Sequence, residues 1–275
     1  MNYAYLIDTT RQFQDLIEQS PLIENSYWSQ FILGPSYAFT CNNTRDQTKR
    51  FKVYYRVDIE TIGNLLEDVY RLAGEKGKDK HFLGVPFCQY IRLYSDFRAY
   101  YQVGMYRTSQ LFFRNVLGLG TAYGKSISVP YTRQFFKGGS NSLRPITARV
   151  VGPGRYLEFD ESAYNQVGDI KIENKLEFRF KIFYIYYGAF CSDMGISGFC
   201  MRIPSVRVQG SDSISFKRIV PTPHELGLRF DLGFLVIRAD YGANLYLPFF
   251  PEDFRWIWQN KGAFNGLIFG IGYPF

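Results

Sequence analysis

Residues 169–182, Asp-Ile-Lys-Ile-Glu-Asn-Lys-Leu-Glu-Phe-Arg-Phe-Lys-Ile, alternate charged and apolar side chains almost without fault. Odd positions hold Asp169, Lys171, Glu173, Lys175, Glu177, Arg179 and Lys181. Even positions hold Ile170, Ile172, Leu176, Phe178, Phe180 and Ile182, with Asn174 the one polar exception. A period of two is the strand period. One face of such a strand is too charged for an ordinary core and the other too apolar for water. A barrel wall in lipid, wet inside and hydrocarbon-covered outside, suits both faces; a long amphipathic strand of a soluble sheet also fits this segment taken alone.

Composition separates the two. The 275-residue chain is 19% aromatic, with 26 Phe and 22 Tyr but only 12 Pro, the mixture used by barrel walls and interfacial girdles. Mean hydropathy is nonetheless −0.18. No run approaches the roughly 18 apolar residues of a membrane helix. An average misses a barrel, which keeps its apolar residues in every second position. The net charge of +7 does not point to nucleic acid, because basic residues interleave with acidic ones along strands instead of clustering.

Cys41, Cys88, Cys191 and Cys200 form no CxxC pair, and the histidines are His81 and His224, so no metal site and no cofactor are expected. Cys191 and Cys200 fit either a loop-bridging disulfide or two unlinked small buried residues. No nucleophile, base and oxyanion arrangement is legible, and the chain reads as a non-enzyme. Residues 1–25 carry Asp8, Arg11, Asp15, Glu18 and Glu24 without an apolar core, so this stretch does not read as a signal peptide.

In chain order, residues 9–20 read as a short helix or loop and 27–41 as a strand bent at Gly34-Pro35. Residues 50–62 read as a clear strand, 60–72 as a helix with Ile62, Leu65, Leu66, Val69 and Tyr70 at helical spacing, and 74–80 as an exposed loop. Strands at 87–103 and 110–122 form a hairpin. The second ends in a glycine-rich piece, 118–124, whose spacing is wrong for a dinucleotide site; its glycines ease curvature or let another segment lie against the wall. About 45 residues then separate it from the opening strand, too many for a passive turn, and suggest a folded-in functional element. After a loop reaching Pro223, residues 224–232 and 235–242 alternate again around a tight turn. The last strand, 264–275, sets Leu267, Phe269, Ile271, Tyr273 and Phe275 against Gly266, Gly270 and Gly272.

Gly138, Gly139, Ser142, Leu143 and Arg144 resemble the lumen-loop signature of the BamA and TamA superfamily of outer-membrane barrels (bacterial surface antigen family): paired glycines, a short spacer, an aliphatic residue and arginine. Pro145 stands where that family has a small residue and Ile146 where it has an aromatic one. The strand with Leu176-Glu177-Phe178, then Asp193-Met194-Gly195 and the final Gly270-Ile-Gly-Tyr-Pro-Phe275 match in order. Gly152-Pro153-Gly154, and the chain from about Phe31 onward, most resemble the TamL branch of the Bacteroidota.

The resemblance implies an all-β fold, an antiparallel transmembrane β-barrel segment of about nine strands out of sixteen, with a long inward-folded loop at about 124–168. Residues 1–275 then form the C-terminal portion of the barrel domain, without the first strands and the POTRA domains, and such a fragment alone is not expected to persist in hydrocarbon. It implies that Arg144 reaches down the lumen to acidic wall residues at Glu177 and Asp193, a guanidinium between two carboxylates able to form bidentate hydrogen bonds. Phe269, Ile271, Tyr273 and Phe275 look like the C-terminal assembly signal of outer-membrane barrels.

The implied location is the outer membrane of a Gram-negative cell. The partners are its lipid bilayer, nascent outer-membrane protein clients and other envelope assembly proteins, with no nucleic acid. The leading reading is a protein assembly, insertion or translocation factor acting through a barrel seam and the lumen loop. A generic outer-membrane pore or receptor is the alternative, which would not need an inward loop with Arg144. A soluble β-rich binding protein is the third, opposed by the terminal phenylalanine.

Overall fold

The computed structural model describes residues 2–4, 30–46, 48–74, 81–82, 84–124, 126, 128–139, 142, 144, 146, 148–149, 167–198, 223–247, 250–256 and 265–272. In chain order the elements are β1 (Asn2–Ala4), β2 (Gln30–Ile32), β3 (Ser36–Asn42), β4 (Phe51–Ile62), α1 (Asn64–Leu72), β5 (His81–Phe82), β6 (Val85–Pro86), β7 (Tyr90–Val103), β8 (Ser109–Ala122), β9 (Ile170–Phe183), β10 (Tyr186–Gly198), β11 (Pro223–Asp231), β12 (Val236–Asn244) and β13 (Gly266–Ile271). Nine of these form one sheet in the order β13-β12-β11-β10-β9-β8-β7-β4-β3. Every neighbouring pair is antiparallel. This is the expected barrel segment.

Burial along the wall is the reverse of a soluble sheet. On β9 the charged Glu173, Lys175, Glu177 and Arg179 are buried, while Leu176, Phe178, Phe180 and Ile182 are exposed. The pattern recurs on β11 and β12, where Glu225, Arg229, Arg238 and Asp240 are buried and Leu226, Leu228, Ile237 and Tyr241 exposed. Strand alternation sends each set to one face, and only lipid outside with a packed polar lumen inside lets both be stable. Asn174 stays on the apolar face. There it stands opposite Asn115 of β8, whose side-chain amide donates to it at 2.8 Å.

Connections at one end of the sheet are short: residues 43–50, 104–108, 184–185 and 232–235. At the other end lie the long ones, including α1 and the stretch between β8 and β9. β4 stops at Ile62 because Gly63 takes a left-handed φ of 83° and donates its N–H to Leu33 O at 2.9 Å; a glycine adopts this conformation without penalty. The helix therefore starts after the strand instead of overlapping it. Leu66 packs with Phe31, Val85 and Phe87, with Tyr70 and Phe82 at the margin. Two small pairings had no legible pattern in the sequence: β1 with β2 and the β5–β6 hairpin. The short helix or loop expected at 9–20 lies outside the described residues.

Candidate functional site

The site is built by the described residues of the connection from β8 to β9, which fold back over the inner face of the wall. Phe135 pairs with Gly168 through two backbone hydrogen bonds of 2.8 and 2.7 Å. Its ring rests on Gly118 of β8, where a Cβ would sit 2.7 Å from the ring. Val129 covers Gly120, whose N–H donates to Asp169 O at 2.7 Å. The glycine-rich end of β8 thus provides the close approach expected of it.

Past Phe135 the chain makes two arms. Gly139 N donates to Ile146 O at 2.7 Å and Arg149 N to Lys137 O at 2.9 Å. Gly138 and Gly139 have φ values of 88° and 94°, left-handed conformations that a side chain would strain, so this pair turns the chain toward its tip. Ser142 fastens the tip. Its N–H donates to Gly139 O at 3.0 Å, its Oγ accepts from Gly138 N at 3.2 Å and donates to Glu173 on β9. Lys175 of the same strand donates to Ser142 O. On the second arm Arg149 lies over Phe136 at 4.8 Å and donates to Tyr131 Oη at 2.9 Å.

Arg144 is fully buried, with 0% of its surface exposed. Carboxylates from four adjacent strands surround it. Its Nη1 is 3.0 Å from Glu225 Oε2 of β11 and donates to Asp240 Oδ2 of β12 at 3.1 Å. Its Nη2 is 3.7 Å from Asp193 of β10 and 3.9 Å from Glu177 of β9. Burial pulls its pKa down, but the surrounding carboxylates, Asp193 first, push it up by more, so the guanidinium stays charged.

Glu177 and Asp193 are the two partners that the family resemblance implied for Arg144. Both residues are within ion-pair range, but Glu225 and Asp240 are nearer. Glu177 is already engaged by Arg179 at 2.5 Å and Arg229 at 3.7 Å, and Asp193 by Lys175 at 3.3 Å. Asp240 is shared with Arg229. Among the described residues, these ion pairs join four carboxylates to Arg144 of the loop and to Lys175, Arg179 and Arg229 of the wall. Strand alternation already placed Glu225 and Asp240 on the lumen face; their distance to Arg144 was not legible, because it depends on how β11 and β12 are offset against β9.

Phe269 and Ile271 are on the exposed face of β13, at 70% and 76% exposure. Leu143, Pro145, Tyr273 and Phe275, together with Gly152-Pro153-Gly154 and Cys200, lie outside the described residues. Cys191 is a buried free thiol. Among the described residues no cluster of His, Cys, Asp and Glu is arranged to hold a metal.

No helix among the described residues is long and apolar enough to cross a membrane, which says nothing of strands. No curated protein matches the chain. The Omp85 superfamily domain matches residues 83–273, the span that holds β7 to β13, the inward loop and its acidic cluster. With apolar strand faces outward, a charged lumen within and that match over more than half its length, the chain belongs to the Omp85 superfamily, whose members work in the outer membrane in protein assembly and translocation.

Proposed function

We propose that this chain is the C-terminal barrel portion of an assembly or insertion factor for outer-membrane proteins, of the TamL type, that handles nascent strands at a seam beside β13. Its work is mechanical, with no catalytic chemistry. The reading rests on Arg144. A loop arginine held without exposure by carboxylates of four strands ties one long connection to the part of the wall nearest β13, a coupling that a simple pore does not require. β13 itself supports the seam: it is only six residues long, whereas β7 and β8 pair along fourteen. Its outer edge has no partner among the described residues. Gly270 lets the Arg238 guanidinium lie against the strand in place of a packed side chain. In this reading the exposed Phe269 and Ile271, with Tyr273 and Phe275, form the signal by which the barrel is itself inserted.

The test is reconstitution of the full-length protein in liposomes with a small unfolded outer-membrane barrel as client. Folding of the client, followed by its heat-modifiable band, should be several-fold faster than in protein-free vesicles. Arg144→Ala should lose that acceleration while keeping its own folded band. Client folding at the protein-free rate, with ion conductance through the barrel retained, would instead make the chain part of a pore.

A further inference from the structure

The lumen wall has a second polar region, on β4, β7 and β8, which the Arg144 tip does not fill. A cavity of about 340 Å³ opens there, and on its lining four arginines, Arg56, Arg92, Arg98 and Arg114, meet two aspartates, Asp58 and Asp96. Arg98 and Arg114 stand directly opposite one another in the register of β7 and β8, an arrangement in which like charges repel. Both forks close on Asp96. Each Nη2 is 2.7 Å from Asp96 Oδ2, and the Nε atoms are 3.1 and 2.9 Å from Oδ1. One carboxylate thus serves two guanidiniums and leaves a positive charge over. Arg92 pairs with Glu60 at 3.3 Å, and Arg133 approaches the same carboxylate at 3.6 Å. Arg56 pairs with Asp58 at 2.9 Å but is half exposed, at 48%. Tyr54 lies under Arg98 at 4.7 Å and holds that guanidinium from below.

We propose that this cavity binds the carboxylates of an acidic, extended polypeptide segment. Paired planar forks are the geometry that arginine offers to carboxylates, and Asp96 already occupies two of them as a ligand carboxylate would. The excess of cations on the lining draws in anions, focused by the low-dielectric walls of the lumen. Asp96 shows that this wall accommodates the planar carboxylate, the group that an acidic side chain brings. The inference does not rest on the assembly reading, because the cavity would bind such a segment in a barrel that only conducts.

The experiment is fluorescence anisotropy of dye-labelled hexaglutamate with the full-length protein in detergent micelles, with hexalysine and inorganic phosphate as the other arms. Hexaglutamate should bind saturably and hexalysine should not. Arg56→Gln should weaken binding several-fold, and Arg98→Gln with Arg114→Gln by about tenfold or more, the size expected for a lost charge-assisted hydrogen bond. Asp96→Asn should act in the opposite direction and tighten binding, since it releases both forks; this variant and Arg56→Gln decide the matter if the double variant does not fold. Binding indifferent to Arg56→Gln and Asp96→Asn, or equal for hexalysine, overturns the site. Displacement of hexaglutamate by inorganic phosphate at equal concentration would assign the cavity to phosphate groups and overturn the proposal as well.

Discussion

The two polar regions of the lumen wall use the same residue types and treat them in opposite ways. On β9 to β12 the guanidiniums and carboxylates are sealed under the loop: Arg144, Arg229 and Asp240 have no exposed surface. On β4, β7 and β8 the ion pairs border a cavity: Asp96 is buried between Arg98 and Arg114, but at the rim Arg56 keeps half of its surface. Sealed charges have lost their water and depend on one another, so removing one strands the rest. Hydrated pairs lean on solvent and are individually weak. Alternation delivers charge to the lumen face of β4, β7, β9, β11 and β12; the covering loop decides whether that charge becomes structural or stays available to a ligand.

The comparison is broken most directly at Arg144. Arg144→Ala should cost about 3–5 kcal/mol, because Glu225 and Asp240 lose their nearest loop cation in a dehydrated site. The readout is protease access to residues 138–149 in intact membranes, together with the urea midpoint of the folded barrel. Arg144→Lys should rescue poorly, since an ammonium has no planar fork to span carboxylates on both sides. Protection identical in wild type and both variants would mean that the seal does not depend on this arginine. A smaller effect is expected where the loop meets β8. Gly118→Ala puts a methyl within 2.7 Å of the Phe135 ring, an overpacking of about 1–3 kcal/mol. That penalty should shrink in a Phe135→Ala background, and additive midpoint shifts would show that the ring does not press on this glycine. At the hydrated end, Arg56→Gln should change the midpoint by less than about 1 kcal/mol. A shift as large as that of Arg144→Ala would erase the distinction between the two regions.

Much of this arrangement was legible in the residues. Period-two alternation assigned lumen and lipid faces on β9, β11 and β12 because one face of each strand is largely apolar, with Asn174 of β9 a polar exception. The glycines at the end of β8 left curvature and a close approach as the two roles open, and the loop arginine with Glu177 and Asp193 was reachable from the family pattern. What remained hidden depends on register. Glu225 and Asp240 sit on the correct face, but Cys191 faces Glu225 only because β11 is offset by that amount against β10. Alternation is blind to the offset of one strand along another. The Arg98–Arg114 opposition is of the same kind: each arginine looks ordinary on its own strand, and the shared Asp96 appears only when β7 and β8 are aligned. Short pairings such as β5 with β6 contain too few residues to show any period.

Because alternation tolerates a slide of two residues, something else must forbid it on this wall, and the asparagine pair on the lipid face is suited to do so. Asn115 and Asn174 meet at a single alignment of β8 and β9. A slip of one residue would invert every side chain of β9 and is excluded by the hydrophobic pattern itself. A slip of two keeps charge inside and hydrocarbon outside, yet it separates the two amides and leaves each facing lipid with no water to replace its partner, at a cost of several kcal/mol for each unsatisfied group. The pair thus works as a key cut for one register: it adds little to the correct sheet and penalises the nearest wrong one. That register is also the one in which Glu177 of β9, and through it the carboxylates of the next three strands, come to lie around Arg144.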